Sequence, residues 1–415
     1  MDRKLEKFLR KARKGANLAM EALFLPVVLP LFLLMRLVRR WFVIRIGRII
    51  PHRLGHLALN VELYLCEQDA GVNVPDRPYL DLWYFAGGLP RNEQLATMWK
   101  RHLWIVPSPL LAPLHYLNGF FGDGALHEIG ANTQIDRDVL GLLSATPPHL
   151  SFNLDEQARG AEGLRSLGVP GGAPFVCLIV RDDAFLKAQD PDGDYRYHDY
   201  RNADIRNFEL AAHALADRGL YVIRVGAVVS APFRSSHPRV IDYATKAVRS
   251  DFMDVFLGAH CFFCLSTSTG FDAVPMIFRR PVAFVGMVPI GYACTFLKDS
   301  VFISKRHWLE SEQRDLTLQE VISRGVAFCT QSDDYRRQGV TPLANTPEEI
   351  RDLAVEMAER LLGSWSPEAD DDALQARFWE IYPIDALGYS GRRLHGAVEA
   401  RYGAQLLRDN QDWLR

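Results

Sequence analysis

Apolar and polar residues follow one another along this chain in blocks that predict strands and helices in alternation. Short apolar runs, at 42–49, 81–87 and 175–180, end in a glycine or in polar residues, and stretches with helical spacing come after them. Strands that alternate with helices are typical of parallel sheets covered on both faces. We therefore predict an α/β fold with Rossmann-like units.

The length of 415 residues allows two such domains. A glycine- and proline-rich stretch, 168–174, separates a first series of strands and helices from a second one and predicts the boundary between them. The predicted organisation is an N-terminal segment over 1–40, Rossmann-like domains over 41–167 and 168–345, and C-terminal helices over 346–415 that pack back on both domains.

The N-terminal segment combines positive charge with an apolar run. Residues 1–53 carry thirteen lysines and arginines against three acids, although the whole chain has a net charge of −2. A basic amphipathic pattern over Lys4–Lys14 precedes the uncharged run Ala22–Met35, which as a helix would span about 21 Å of a roughly 30 Å hydrocarbon core. Basic residues flank the run on both sides, which does not fit a single crossing.

This pattern predicts peripheral or monotopic attachment to the cytoplasmic face of the inner membrane. A short spanning anchor with snorkelling arginines and a buried core helix are the two alternatives. Because the positive charge lies beside the most apolar segment, it favours a membrane surface over nucleic acid as the partner.

Polar residues also gather where the strands of the second half are predicted to end. Arg181 and Asp182 follow the apolar run Phe175–Val180, and Arg224 ends the next strand. Ligands of open parallel sheets bind at the carboxyl ends of the strands. An arginine there suits bidentate contact with phosphate.

The stretch Tyr195–Ile205 places His198, Arg201 and Asn202 among three tyrosines, directly before an amphipathic helix. A loop that opens a crossover helix lies at the same edge of the sheet, where binding residues concentrate. A purely solvated loop would explain the charges but not the tyrosines, so we predict a binding loop.

The stretch Cys261–Pro281 predicts a strand, a turn of small polar residues and a helix. Free N–H groups, hydroxyl donors and the helix dipole at such a turn suit a phosphate or diphosphate. The alternative is an ordinary helix N-cap. The candidate residues are Ser266, Ser268, Thr269 and Gly270.

In the first half, Gly55 and His56 follow the first predicted strand, and Asn60 and Glu62 lie within the next two turns. A histidine at this edge could act as a general base near neutral pH. The alternative is a histidine that caps or packs against the loop.

Together, the segments IPHRLGHLALNVE, FVCLIVRDD, YHDYRNADI and LSTSTGFDAVP, followed by RRPVAFVG, resemble a family of bacterial glycosyltransferases linked to surface-carbohydrate synthesis. The resemblance covers roughly residues 42–330. More remotely, the strand ending in arginine and the Ser/Thr-Gly turn look like the donor-binding half of the fucosyltransferase group, which has a GT-B fold.

The resemblance implies two Rossmann-like domains that face each other, with a nucleotide-sugar bound mainly by the second. It also implies a reaction without metal or other cofactor, and a glycan or lipid-linked acceptor. Arg181 would then neutralise the diphosphate, and the 266–270 turn would cradle it. His198, Arg201 and Asn202 would contact the donor or leaving group. His56 would be the base on the acceptor hydroxyl with Glu62 in reserve, while the identity of the base and the stereochemical outcome stay open.

Two other functions remain as alternatives. A nucleotide-sugar epimerase on the same fold type would need neither a membrane nor an acceptor cleft, and the N-terminal segment counts against it. A non-catalytic binding or scaffold protein with a degenerate site is disfavoured by the polar cluster at 195–204.

Overall fold

The computed structural model describes residues 24, 26–129, 137–388 and 391–415. The predicted helix over Lys4–Lys14 lies outside these residues. The chain forms two compact units, Met1–Ile135 and Asp136–Arg415. The stretch 168–174, predicted as the domain boundary, lies within the second unit. That two domains face each other stays a prediction.

The first unit is a small parallel α/β structure in which three strands pair in the order β1-β2-β3. The strands predicted from the apolar runs at 42–49 and 81–87, each followed by a helix, are confirmed. The elements are helix α1 over residues 26–38, β1 (Val43–Ile49), α2 (Val61–Asp69), β2 (Tyr79–Phe85), α3 (Glu93–Trp99), β3 (Trp104–Ile105) and α4 (Ser108–Asn118).

Helix α1 packs on the sheet of the first unit through one face. Val28, Phe32 and Met35 recur at helical spacing and are buried against a cluster that includes Ile46 and Leu114. Each such side chain contributes about 1.5–3 kcal/mol of transfer free energy when it is fully buried. The apolar run in this region therefore supplies part of the core.

Among the helices of the described residues, none has the length and the apolar character needed to cross a bilayer. Attachment to a membrane surface stays a prediction.

The second unit contains a seven-stranded parallel sheet in the order β13-β9-β8-β7-β4-β5-β6. Every residue of the interior strand β4, which lies between β7 and β5, is buried, as the continuous apolar run predicts. The strands are β4 (Phe175–Ile179), β5 (Tyr221–Arg224), β6 (Val240–Asp242), β7 (Cys264–Ser266), β8 (Val282–Met287), β9 (Val301–Ser304) and β13 (Arg401–Tyr402). A small antiparallel sheet, ordered β11-β10-β12, is formed by β10 (Arg306–Leu309), β11 (Arg314–Asp315) and β12 (Val340–Leu343).

Helices cover this sheet, and α13 packs against both α8 and β8. A close contact between α6 and α9 depends on Gly160, where a Cβ would lie 2.1 Å from the Phe256 ring. The helices are α5 (Leu142–Ala145), α6 (Leu154–Ser166), α7 (Ala184–Gln189), α8 (Glu209–Asp217), α9 (Asp251–His260), α10 (Ala273–Ile277), α11 (Leu318–Ser323), α12 (Ser332–Arg337), α13 (Pro347–Leu362), α14 (Asp371–Ile381) and α15 (Ala404–Asp409).

The C-terminal helices predicted within 346–415 include one over 392–412, and that one is wrong. Residues 392–412 contain strand β13 and the short helix α15 instead of a continuous helix. The N–H groups of Glu399 and Ala400 bond to the carbonyl of Thr295, and Arg401 and Tyr402 pair with β9. Pairing with a sheet edge thus outweighs the local helical pattern.

Candidate functional site

The carboxyl ends of β4 and β7 are joined directly to each other. The Arg181 N–H donates to Thr267 Oγ1 at 2.7 Å, and the Thr267 N–H donates to the carbonyl of Ile179 at 3.2 Å. These strands are neighbours in the parallel sheet. The residues after β4 therefore lie beside the turn after β7, as the sequence predicts for a shared ligand edge.

The turn after β7 is held by hydrogen bonds within itself. The Ser268 N–H donates to Ser266 Oγ at 3.1 Å, and Ser268 has a positive φ of 61°. The Thr269 N–H donates to Asp272 at 2.6 Å, and the Phe271 N–H donates to the Thr269 hydroxyl at 3.2 Å. The sequence pattern suggests that these three N–H groups are free, but they are bonded within the turn. The turn therefore has a fixed shape and does not present these groups as open donors.

The helix after this turn is short. A 3-10 turn at Gly270–Asp272 leads into α10, which has five residues. The dipole predicted for this position is correspondingly small, because it grows with the number of aligned peptide units. Charged side chains must supply most of the field at this edge.

Asp272 organises the turn and was not among the candidates from the sequence. Its carboxylate accepts from Ser266 Oγ at 2.5 Å and from Thr269 Oγ1 at 3.2 Å, and only 3% of the residue is exposed. Burial raises the pKa of Asp272 to about 6, although the hydrogen bonds from Ser266 and Thr269 oppose the shift. The pattern Thr-x-x-Asp at 269–272, a capping box, is the signal that would have found it.

Arg181 and Arg201 bring two positive charges to this edge. Arg201 Nη2 donates to the carbonyl of Ser268 at 2.7 Å. Burial and then the charge of Arg201 lower the pKa of Arg181 to about 10. The Nε atoms of both arginines are buried without a hydrogen-bond partner, and among the described residues no acidic side chain forms an ion pair with either. Asp182 acts on Arg181 and Asp272 acts on Arg201 without forming ion pairs with them, so the positive charge at this edge is only partly compensated.

Lys305 adds a third cation and was also missed. It follows β9, is 5% exposed, and its Nζ donates to the carbonyls of Tyr200 and Asn202 at 2.8 and 2.9 Å. Burial lowers its pKa to about 8. The sequence contains a signal for Lys305, because this basic residue directly follows the short run Val301–Ser304, as Arg181 follows Phe175–Val180.

A cavity of about 10 Å³ lies between these groups and is lined by Arg201, Thr267, Gly286, Lys305 and Asn345, among others. That volume corresponds to about one water molecule. A nucleotide would therefore have to lie over the edge of the sheet and not inside this cavity.

The predicted binding loop is ordered by its aromatic residues. The His198 ring lies 4.0 Å from that of Tyr197 and 6.3 Å from that of Tyr200, and the Tyr200 hydroxyl donates to the carbonyl of Thr330 at 2.9 Å. Asn202 Nδ2 donates to Asp199 at 3.2 Å. The tyrosines thus give the loop a fixed path on which Arg201 is presented.

Arg224 and Asp182 lie at the ends of the predicted strands but make contacts with other parts of the protein. Arg224 is 1% exposed and pairs with Asp242 at 3.1 Å. The Asp182 carboxylate accepts from both the N–H and the hydroxyl of Ser230 at 2.9 Å. Because these contacts occupy both side chains, we leave them out of the donor site proposed below.

In the first unit, the candidates His56 and Asn60 bound a π-helical turn, and Gly55 directly precedes it. Such turns are rare and are frequent at functional sites. Burial, then the charges of Arg53 and His52, lower the pKa of His56 to about 4. At pH 7 the ring is thus neutral but a weak proton acceptor.

Glu62 is fully buried in α2, where the Cys66 thiol lies 3.9 Å from its carboxylate. A carboxylate in this position is shielded from an acceptor in solvent. We therefore do not carry it forward as a base, and the catalytic base stays a prediction.

No protein-family model matches the sequence, and no curated protein is significantly similar to it. Among solved structures, E. coli ADP-heptose LPS heptosyltransferase II is 12% identical, with a TM-score of 0.41 and coverage of 77% of this chain and 98% of that one. A glycosyl transferase family 9 protein from Veillonella parvula is 10% identical, with a TM-score of 0.41 and coverage of 77% and 97%. A UDP-N-acetylglucosamine 2-epimerase from Listeria monocytogenes is 8% identical, with a TM-score of 0.28 and coverage of 79% and 98%. At these values the similarities carry no argument about function.

Proposed function

We propose that this protein is a GT-B-like glycosyltransferase that moves a sugar from a nucleotide-sugar to a glycan or lipid-linked acceptor in bacterial surface-polysaccharide synthesis. The observation that carries the proposal is the convergence of Arg181, Arg201 and Lys305 on one edge of a parallel sheet. Two of these cations have no acidic partner among the described residues.

A diphosphate is the ligand that this arrangement suits best. It carries about two negative charges, and a planar guanidinium can contact two phosphate oxygens at once. Burial and, after it, the nearby charge of Arg201 lower the pKa of Arg181, so keeping this cation in the site costs free energy. A bound anion would relieve that cost, so binding and relief of repulsion act together.

Sugar transfer would use the same charges for catalysis. The bond from the sugar to the diphosphate breaks through an oxocarbenium-like state, while negative charge grows on the departing oxygen. Fixed cations at the position of that oxygen stabilise the transition state without having to reorganise. Arg181 and Arg201 therefore have the role of holding the leaving group, and no metal or other cofactor is required for this task.

The polar groups around the cations are proposed to hold the rest of the donor. Ser268, Thr269 and Gly270 are on the ordered turn, and His198 and Asn202 are on the neighbouring loop. The turn would contact a phosphate oxygen through the Ser268 hydroxyl, while the loop would contact the nucleoside or the sugar. The sugar, the nucleotide and the linkage are left open.

Binding is tested by thermal unfolding with nucleoside diphosphates and nucleotide-sugars, since a ligand that binds only the folded state raises the Tm. We expect Arg181→Met and Arg201→Met each to weaken binding by about 10- to 100-fold, because one hydrogen bond to a charged group contributes about 1.5–3 kcal/mol. Arg206→Met is the matched control, because that side chain is 86% exposed on the same segment. The proposal fails if no nucleotide raises the Tm.

Turnover separates the proposed function from its alternatives. A transferase releases nucleoside diphosphate when an acceptor is added, in equal amount to the new linkage. An epimerase instead returns an isomeric nucleotide-sugar without any acceptor, and a scaffold protein binds without either product. Full turnover with excess chelator is expected, and its loss would refute metal independence.

A further inference from the structure

Helix α1 is apolar on both of its faces, the inner face that packs on the first unit and the outer face that points away from it. The inner face contributes Val28, Phe32 and Met35 to the core. Surface helices of soluble proteins carry polar residues on the opposite face, but residues 26–35 contain no charged side chain. The outer face consists of exposed aliphatic residues, namely Val27, Leu29, Leu31, Leu33, Leu34 and Leu37.

Exposed aromatic residues extend this face. Trp41 follows α1, and Tyr116 and Phe120 lie at the end of α4 with ring centroids 5.0 Å apart. The Phe121 ring is 5.1 Å from that of Phe32, so the aromatic group adjoins α1. We call the six aliphatic residues of α1 together with Trp41, Tyr116, Phe120 and Phe121 the outer apolar surface.

The outer apolar surface is large for a soluble protein. Its side chains are between 39% and 71% exposed. Together they expose on the order of 1,000 Å², against about 300–600 Å² for the largest apolar patch of a typical monomer. Patches of that size mark sites of interaction with a protein or a membrane.

The two parts of this surface are held together. Arg36 donates to Asn118 at 2.8 Å and pairs with Asp123, and Arg39 pairs with Asp123 as well. The Arg36 guanidinium also lies 4.9 Å from the Phe121 ring. Since these contacts join α1 to the segment after α4, the leucines and the aromatic rings belong to one rigid surface.

The charge and the residue types around the outer apolar surface indicate what covers this surface. Arg40 is exposed beside the surface and forms no ion pair with an acidic side chain in the part of the chain that the structure describes. Residues 1–53 carry a large excess of lysine and arginine, which an anionic lipid leaflet attracts and a second copy of the same basic segment repels. Tryptophan and tyrosine favour the interface between lipid and water.

We propose that the outer apolar surface inserts into one leaflet of an anionic bilayer, with α1 lying in the membrane plane. Its inner face stays packed on the sheet, and its outer leucines enter the boundary between headgroups and acyl chains, about 5–10 Å deep. The aromatic residues after α4 enter the same layer. This surface belongs to the first unit, whereas Arg181, Arg201 and Lys305 belong to the second, so the inference does not depend on the proposed function.

The test is flotation of the full chain with vesicles of phosphatidylcholine containing about one third phosphatidylglycerol. We expect Leu33→Ser/Leu34→Ser/Leu37→Ser to lower the partition coefficient by at least about 30-fold, because three partly inserted leucines are lost. The matched control is Leu154→Ser/Leu362→Ser/Leu387→Ser, three leucines of the second unit that are 56–87% exposed, and it should bind as the wild type does. Pure phosphatidylcholine vesicles and high salt should weaken binding by about tenfold.

A second variant tests whether the surface has both parts. Phe120→Ser should lower the partition coefficient by about tenfold, although it leaves α1 unchanged. An unchanged coefficient would remove the aromatic residues from the surface. Equal flotation of the α1 triple variant and its control, or no flotation of the wild type, would overturn the proposal.

Other occupants give other results. If a second copy covers this surface, light scattering should show a dimer for the wild type and a monomer for the α1 triple variant. Neither protein should then bind vesicles. The segment 1–23 would show hydrogen-exchange protection without vesicles that the triple variant removes. Either result would overturn the membrane proposal. Nucleotide-induced Tm shifts should be the same in all these variants, which separates this test from that of the proposed function.

Discussion

Asp272→Asn tests whether a buried carboxylate shapes the turn beside the cationic edge. The side chain is 3% exposed, and its oxygens accept from Ser266 and from Thr269. The asparagine has nearly the same shape but does not titrate. Any cost of placing its NH₂ group near the Thr269 N–H is the same at every pH, so it cancels when the pH dependence is compared.

The size and the sign follow from the pKa. Burial raises the pKa of Asp272 from 3.8 to about 6, so the folded protein holds this proton more tightly than the unfolded chain. The stabilisation is present at low pH and is lost as pH rises through 6. A shift of about 2 units corresponds to about 3 kcal/mol, of which about 2 kcal/mol falls between pH 4.5 and 7.5.

We expect the unfolding free energy of Asp272→Asn, relative to wild type, to rise by about 2 kcal/mol from pH 4.5 to pH 7.5. Urea unfolding at several pH values, followed by tryptophan fluorescence, measures this difference. Asp385→Asn, at a side chain that is 94% exposed, is the control and should show no such slope. A difference for Asp272→Asn that is constant or falls with pH would refute the reasoning.

Three further predictions concern the other titratable and charged groups. Arg224→Met should lower the unfolding free energy by about 3 kcal/mol, because Asp242 loses its partner. Calorimetry should show the same nucleotide affinity as for the wild type. Lost affinity at normal stability would show that Arg224 belongs to the donor site. Since burial lowers the pKa of Lys305 to about 8, its charge disappears above that pH, and nucleotide affinity should fall by about tenfold from pH 7 to pH 9.5. Lys305→Met should not show this fall. An equal fall in both proteins would assign the pH dependence to another group. Because the pKa of His56 is about 4, the pH profile of the rate should have no acidic limb near pH 6.5 that depends on this residue; a limb there that His56→Gln abolishes would contradict the lowered pKa.

The elements that the sequence predicts well are those whose pattern has one interpretation. The run Phe175–Val180 has no polar position, which is typical of a strand buried on both faces, and β4 is an interior strand of the sheet with all of its residues buried. The segment 392–412 is different, because its helical spacing is local and its partner, β9, lies about 100 residues earlier. Pairing between distant segments leaves no periodic trace in either of them.

The site shows the same limit. Arg181 is recognisable because it ends an obvious strand, and the structure places it beside Thr267. Lys305 was missed because its importance comes from burial and from partners about 100 residues earlier in the chain. The partners of Asp272, Ser266 and Thr269, are local, and what the sequence does not show is the burial of its carboxylate. The prediction of free N–H groups at the 266–270 turn was wrong for a related reason. Side chains that bond to neighbouring N–H groups are as common in helix caps as in ligand sites, so the residue types alone do not show which N–H groups stay free.

The bonds from Lys305 to the carbonyls of Tyr200 and Asn202 have a consequence for the synthesis of the chain. Arg181 leaves the ribosome about 120 residues before Lys305, an interval of roughly 6–25 s at ~5–20 residues per second. During that time the loop that carries Arg201 lacks the ammonium group to which two of its carbonyls bond. A nascent chain should therefore gain little from nucleotide until β9 has emerged, so that nucleotide cannot act on the assembly of the strands from β4 to β8.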